Sequence, residues 1–216
     1  MMNVMPSNAE DYVQRYQSPL PPYMEKIKSY GLSHKVPIVR DDMGQMLRLF
    51  CRMLKPQKIL EIGCGISYST HWMLLGAEES EITALDYNYD RLNCCVDYLN
   101  QSGFSKQVKL VQGWAEDFFK DNHGQYDLIF QDSTKKNYVE MIGDCYRFLK
   151  PGGWLVADNI FFNGKVFGLS KDQERKYSRG VETINDFNLK MSEHPGFQTD
   201  YFPFSDGILV AQKVAN

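Results

Sequence analysis

Three side chains with oxygen donors fall where short apolar runs end: Asp132 closes YDLIFQD, and Asp158 and Asn159 close WLVADN. If those runs are neighbouring parallel strands, the three side chains meet at one point beyond the strand ends. Two carboxylates and an amide oxygen make an all-oxygen set. It suits a hard divalent cation, Mg²⁺ first and Mn²⁺ or Ca²⁺ next, rather than zinc. The chemistry on offer would be activation of an oxygen nucleophile, because a hydroxyl beside such a cation gives up its proton more easily. Strand-end Asp and Asn also cap loops, and spacing alone leaves both readings open.

A second constellation lies at the ends of three other runs. KILEI (58–62) enters the turn Gly63-Cys64-Gly65, where glycines let the backbone bend sharply and approach a ligand. A dinucleotide fingerprint would need glycine at position 68, and Tyr68 stands there. EITALD ends in Asp86, which can accept from both ribose hydroxyls of a nucleoside or, equally, cap the helix that follows. VKLVQG is followed by Trp114 and Ala115. The small Ala115 leaves room for a flat base, and Trp114 taken alone reads as core.

The elements that must position these residues follow from hydrophobic spacing. Met43, Met46, Leu47, Phe50, Met53 and Leu54 form one stripe of a helix over 41–54. Strands are expected at 58–62, 81–86, 108–113, 126–132 and 154–159, with helices near 68–76, 88–100 and 115–120 between them. Tyr138, Met141, Ile142, Cys145, Phe148 and Leu149 mark a further helix that PGG (151–153) should stop, and a long polar helix should cover 170–193. QTDYFPF and GILVAQK flank Ser205-Asp206-Gly207 and read as an antiparallel hairpin. Strands alternating with helices predict an α/β sandwich with a mainly parallel sheet, whose ligands sit at the carboxyl ends of the strands. Residues 1–18 read as a loose arm or short helix, and 19–216 as a single domain.

Bulk properties narrow the classes. With a net charge of −3, the chain does not offer the broad basic surface of a nucleic-acid-binding protein. Its apolar runs are too short to span a bilayer, and the N-terminus does not have the pattern of a signal peptide. Five cysteines, odd in number and without a CxxC pair, fit reduced thiols in a cytoplasmic protein rather than a disulfide or zinc framework. The four histidines fall at no shared strand end and read as structural or surface groups.

Taken together, EIGCGISYST, ITALDYNYDRL, YDLIFQDSTKKNY and LKPGGWLVADNIFFNGKV resemble successive motifs of the cation-dependent O-methyltransferases, which include the catechol and caffeoyl-coenzyme A enzymes. VPIVRDDMGQMLRL and FPFSDGILVAQK extend the resemblance over about residues 20–213. The resemblance implies a Rossmann-like class I methyltransferase sandwich, with a seven-stranded sheet ending in the antiparallel hairpin and helices on both faces. It implies that Val39, Glu61, Gly63, Cys64, Ser69, Asp86, Ala115 and Asp132 surround S-adenosylmethionine, with Glu61 at the methionine end and Asp86 at the ribose. Asp132, Asp158 and Asn159 would be the metal ligands, Lys135 the general base, and Phe162, Asn163 and Asp206 the substrate contacts, under a lid at 164–180. The implied reaction is methyl transfer to a hydroxyl oxygen of a small phenolic, catechol-like substrate, by a homodimer.

The chain departs from that pattern twice. Ser67 stands where the family usually has glycine, and Asp132-Ser133-Thr134-Lys135 stands where many relatives read Asp-Ala-Asp-Lys. Some bacterial relatives methylate a hydroxyuridine in transfer RNA, and HPGFQTDYFPFSDG is similar to them, so tRNA is the alternative acceptor. The discriminator is whether Lys171, Arg175, Lys176 and Arg179 line a groove beside the metal ligands. Two readings of other classes are a nicotinamide oxidoreductase, which Tyr68 opposes, and a non-catalytic adenosyl-nucleoside binding protein, which would lack the ligand triad and the lysine.

Overall fold

The computed structural model describes residues 12–13, 15–121 and 123–214. Most of the expected arm at 1–18 lies outside the described residues. Seven strands form one sheet: β1 Lys58–Ile62, β2 Glu81–Asp86, β3 Val108–Gln112, β4 Tyr126–Gln131, β5 Leu149–Ala157, β6 Phe197–Phe202 and β7 Ile208–Lys213. Their order is β3-β2-β1-β4-β5-β7-β6. Pairing is parallel from β3 across to β5, and β7 runs antiparallel to both β5 and β6.

Successive strand residues point to opposite faces, so the apolar runs feed two cores at once. Ile59, Leu128, Phe130 and Val156 face one layer, and Leu60, Ile129, Leu155 and Ala157 face the other. The first layer holds α1 Pro22–Ser33, α2 Asp41–Leu54, α3 Tyr68–Leu74 and α4 Tyr89–Ser102. The second holds α5 Ala115–Asp121, α6 Ile142–Phe148 and α7 Lys171–Glu193. Among the described residues no helix is long and apolar enough to cross a membrane.

The structure differs from the sequence-based expectations at three places. Helix α1 was not anticipated, although Met24 and Ile27, buried one turn apart behind Pro22 in the first turn, carry its signal. The helix expected from Tyr138 opens as a 3-10 turn over Lys135–Asn137, and regular α6 starts only at Ile142. PGG does not separate helix from strand. Strand β5 already begins at Leu149, and residues 150–153 bulge opposite the single residue Asp127, because Tyr126 pairs with Leu149 and Leu128 with Trp154. Lys150 Nζ meets Asp127 Oδ1 at 2.6 Å, and Asp127 Oδ2 accepts from the Gln57 and Lys58 amides at 3.0 and 2.8 Å. The bulge is thereby tied to the start of β1.

From β1 the chain winds outward through β2 and β3, and then returns to lay β4 and β5 on β1's other side. That reversal opens a crevice above β1 and β4, bounded by the strand ends that carry Gly63, Asp86, Asp132 and Asp158.

Candidate active site

A cavity of about 330 Å³ occupies this crevice, within the range of small-ligand sites. Of the residues singled out from the sequence, Gly63, Asp86, Ala115, Asp132, Lys135 and Asn159 line it. Val39, Glu61, Cys64, Ser69 and Asp158 are buried and are not among its walls. Phe162, Asn163 and Asp206 also lie outside them. Thr134, which stands where many relatives carry an aspartate, lines the cavity too, and Pro37 and Arg91, which do so as well, were not anticipated.

The β1–α3 turn forms the floor. Gly63 N and Cys64 N both donate to Leu85 O at 2.9 Å, stitching the turn to the end of β2. Gly63 has φ +94°, and a Cβ there would sit 2.2 Å from Asp132 O, so only glycine lets β1 and β4 close up at this level. Ser67 is left-handed at φ 69°, which explains why glycine suits the position, and it makes no side-chain cap to α3. Below the turn, Glu61 is fully buried, accepting from the Ser69 hydroxyl and, at 2.5 Å, from the Thr70 hydroxyl. Burial pushes its carboxyl up to about 7, against the two hydroxyls, with the Asp132 and Asp86 carboxylates adding to the rise. A hydrogen bond with Cys95, together with burial, holds the Cys64 thiol well above its usual range, so it remains an uncharged thiol.

Asp86 stands at one end of the cavity. Its Oδ2 accepts from Gly65 N at 2.9 Å and its Oδ1 from Asn88 N at 2.8 Å. The cap of α4 is Asn88, whose side chain accepts from Arg91 N at 3.1 Å. That corrects the reading of Asp86 as the helix cap and leaves it lone pairs to offer a ligand. Trp114 is not core either: it is about half exposed and stacks on Tyr87, with ring centroids 4.5 Å apart and an interplanar angle of 4°. The pair stands at the cavity wall beside Ala115.

At the other end Lys135 Nζ donates to Asn159 Oδ1 at 2.9 Å, to Asp132 Oδ1 at 3.4 Å and to Asp158 O at 3.4 Å. The side-chain oxygens of Asp132 and Asn159 therefore converge on one positive charge. The Asp158 carboxylate lies behind them, with Oδ1 accepting from Asn159 N at 2.7 Å. Burial, reinforced by the neighbouring Asp132 carboxylate and opposed by Lys135, holds Asp158 up at about 7. This donor set has the chemistry of a hard-cation site: carboxylate and amide oxygen only, around a point that already stabilises a cation. Among the described residues no group of three or more His, Cys, Asp and Glu could hold a metal, and here the third donor is an amide.

Tyr138 is the residue that sequence reasoning missed, because at helical spacing it counts as core. Its ring is fully buried, but its hydroxyl accepts from Lys135 at 2.7 Å and reaches the Gln131 and Asp158 carbonyls at 3.0 and 3.2 Å. It thus ties the lysine to the ends of β4 and β5. Among the histidines, His71 is buried between Ser67 O and Ser102 Oγ, a structural placement.

Beyond Asn159 the chain makes an unusual loop. Asn159, Phe162 and Asn163 all have left-handed φ, at 58°, 52° and 53°. Asp206 Oδ2 accepts from Asn163 N at 2.7 Å, so two of the expected substrate contacts are paired with each other. Phe162 packs against Tyr177 and Gly180 of α7. Lys171, Arg175, Lys176 and Arg179 are exposed on the same helix, and none lines the cavity, so the groove that would favour a tRNA acceptor is not formed by them.

Against known proteins, the model of the O-methyltransferase family matches residues 15–214. The chain is 25% identical over 204 residues to a caffeoyl-CoA O-methyltransferase of Populus trichocarpa, covering 90% of this chain and 83% of that one. It is 27% identical over 181 residues to the caffeoyl-CoA O-methyltransferase of Medicago sativa, covering 80% and 73%. Among solved structures it superposes on an SAH-bound methyltransferase of Podospora anserina with a TM-score of 0.85, at 24% identity over 99% of each chain. An O-methyltransferase of Bacillus cereus in complex with SAH gives 0.82 at 21% identity, over 94% of this chain and 96% of that one. These likenesses establish the fold as that of Rossmann-like methyltransferases.

Proposed function

Because this chain belongs to the O-methyltransferase family, we propose that it moves a methyl group from S-adenosylmethionine to a hydroxyl oxygen of a small phenolic, catechol-like acceptor, with a divalent cation, Mg²⁺ first, at the acceptor end. The observation that carries the reading is the polarity of one cavity: Asp86 at one end, and Asp132, Asn159 and Lys135 converging at the other. Asp86 would receive the ribose hydroxyls, and Tyr87 and Trp114 would flank the base. Glu61, beneath the Gly63 turn, would balance the ammonium of the methionine end.

Asp132, Asp158 and Asn159 would hold the cation. When bound, the two groups supply an electrophilic methyl on a sulfonium and a positive charge beside the acceptor oxygen. The rest falls to side chains of this chain. Lys135 Nζ must first give its own proton to solvent, as it leaves the Asp132 and Asn159 oxygens, and the neutral amine then takes up the hydroxyl proton, with Tyr138 keeping it within reach. The rate arises mainly from holding the acceptor oxygen in line with the methyl, which the rigid ends of β4 and β5 make possible. Two adjacent oxygens on a catechol would suit a hard cation held by Asp132, Asp158 and Asn159, since such a cation prefers oxygen donors.

The test is calorimetric titration of catechol in the presence of S-adenosylhomocysteine, with Mg²⁺ and then with excess EDTA. Binding that needs Mg²⁺ and disappears in Asp158→Ala is the expected result. Equal binding with and without EDTA would remove the metal from the account. Cofactor binding with no catechol binding under either condition would remove the small-phenol acceptor.

A further inference from the structure

We propose that Asp206 is a positioning residue that acts through the loop after β5, fixing where Asn159 and Phe162 stand. The inference rests on the reading of Asp132, Asp158 and Asn159 as the acceptor end of the site. Asn159, Phe162 and Asn163 are left-handed at φ 58°, 52° and 53°, and none is glycine. Side-chain-bearing residues disfavour that region, so such a loop relaxes unless its surroundings over-determine it.

The holding contacts come from the turn between β6 and β7. Asp206 Oδ2 accepts from Asn163 N at 2.7 Å. The Asp206 carbonyl accepts from Phe161 N at 2.9 Å, and the Gly207 carbonyl from Ile160 N at 3.1 Å. Gly207 makes this approach possible: it sits at φ +76°, and a Cβ would fall 2.6 Å from the Phe161 ring. From the other side, Gly180 of α7 lets the helix meet Phe162, where a Cβ would lie 2.6 Å from the ring. The loop is gripped between a turn and a helix, immediately after Asn159. Asp206 lies outside the cavity walls and its Oδ2 accepts from a main-chain amide, so the carboxylate's contact is with the loop.

The experiment combines amide hydrogen exchange with steady-state kinetics on Asp206→Ala, Asp206→Asn and Gly207→Ala, using catechol and Mg²⁺. S-adenosylhomocysteine affinity and a cooperative melt establish that each variant is folded. In Asp206→Ala the Asn163 amide should exchange at least about tenfold faster and kcat should fall by about tenfold or more. The acceptor KM should stay within about threefold. Asp206→Asn, which keeps an acceptor oxygen, should restore both exchange and kcat. Gly207→Ala, pressing on Phe161 without touching the carboxylate, should lower kcat in the same way. Unchanged exchange at Asn163 overturns the proposal. So does an acceptor KM that climbs at constant kcat, since that pattern means direct contact with the acceptor. Exchange is read without an acceptor, so an enzyme that turned over no catechol would fail the functional reading while the exchange comparison still decided whether Asp206 grips the loop.

Discussion

Glu61 and Asp158 are both buried carboxyls held near 7, and Glu61 lends itself to a clean measurement because it lies below the cavity rather than in its wall. Its folded value of about 7 stands above the ordinary 4.5, so between those two pH values the native protein keeps a proton that the unfolded chain has lost. Unfolding free energy should therefore fall as pH rises from about 4.5 to about 7 and level off above, a total of about 3 kcal/mol from this one group. Glu61→Gln should lack that part of the slope and be the more stable protein at pH 8. Urea unfolding across this pH range checks it, and parallel curves for the two proteins would mean that burying Glu61 costs little. Single residues were legible to different degrees. Asp86, Asp132 and Asn159 stand at strand ends, where chemistry is expected. Tyr138 shares its spacing with Met141, Ile142 and Cys145, and its hydroxyl gains a purpose only when the sheet brings the Gln131 and Asp158 carbonyls together. Asp206 was read as touching substrate, and its bond to a main-chain amide across the loop could not be read from the sequence.

At the scale of elements, glycines divide into those that permit a close approach and those that merely occupy a position. Gly63 is of the first kind, with its positive φ and Asp132 O in the space a Cβ would take. Gly63→Ala should separate the ends of β1 and β4, destabilise the protein by on the order of 2–4 kcal/mol and abolish S-adenosylhomocysteine binding. Gly143 is of the second kind: it lies in α6, and a Cβ there would meet nothing within 4 Å. Gly143→Ala should raise stability by about 0.5–1 kcal/mol through helix propensity. Thermal melts of the two variants test the contrast, and equal effects would refute it. The strands were readable because burial on both faces leaves unbroken apolar runs with sharp ends. Helix α1 was not, since its twelve residues bury only Met24, Ile27 and Gly31 and carry a weak stripe. The early start of β5 was hidden because Pro-Gly-Gly signals a break, whereas pairing with Tyr126 resumes the strand on its far side.

The whole molecule carries a net charge of −3, and the exposed basic residues of α7 stand apart from the cavity. Catalysis on a small phenol should then respond weakly to ionic strength, with kcat/KM changing less than about twofold between roughly 50 and 200 mM KCl. An acceptor gripped through several phosphates would lose on the order of a thousandfold over the same range, so a steep salt dependence would argue for nucleic acid. The α/β order and the crevice were foreseeable at this scale, because alternating strands and helices admit few arrangements. The grip of the last hairpin on the β5 loop was not, since it joins residues more than forty positions apart in the chain. The bulge at 150–153 bears on how the chain tolerates changes in length. A one-residue slip within β5 would turn Asp158 toward the opposite layer, away from Asp132. An insertion or deletion at 150–153 should instead be taken up before Trp154 meets Leu128, with the later pairings kept. The segment should act as an expansion joint at Gly152, where a Cβ would meet nothing within 4 Å, and a peptide grafted there should leave the chemistry at the strand's other end undisturbed.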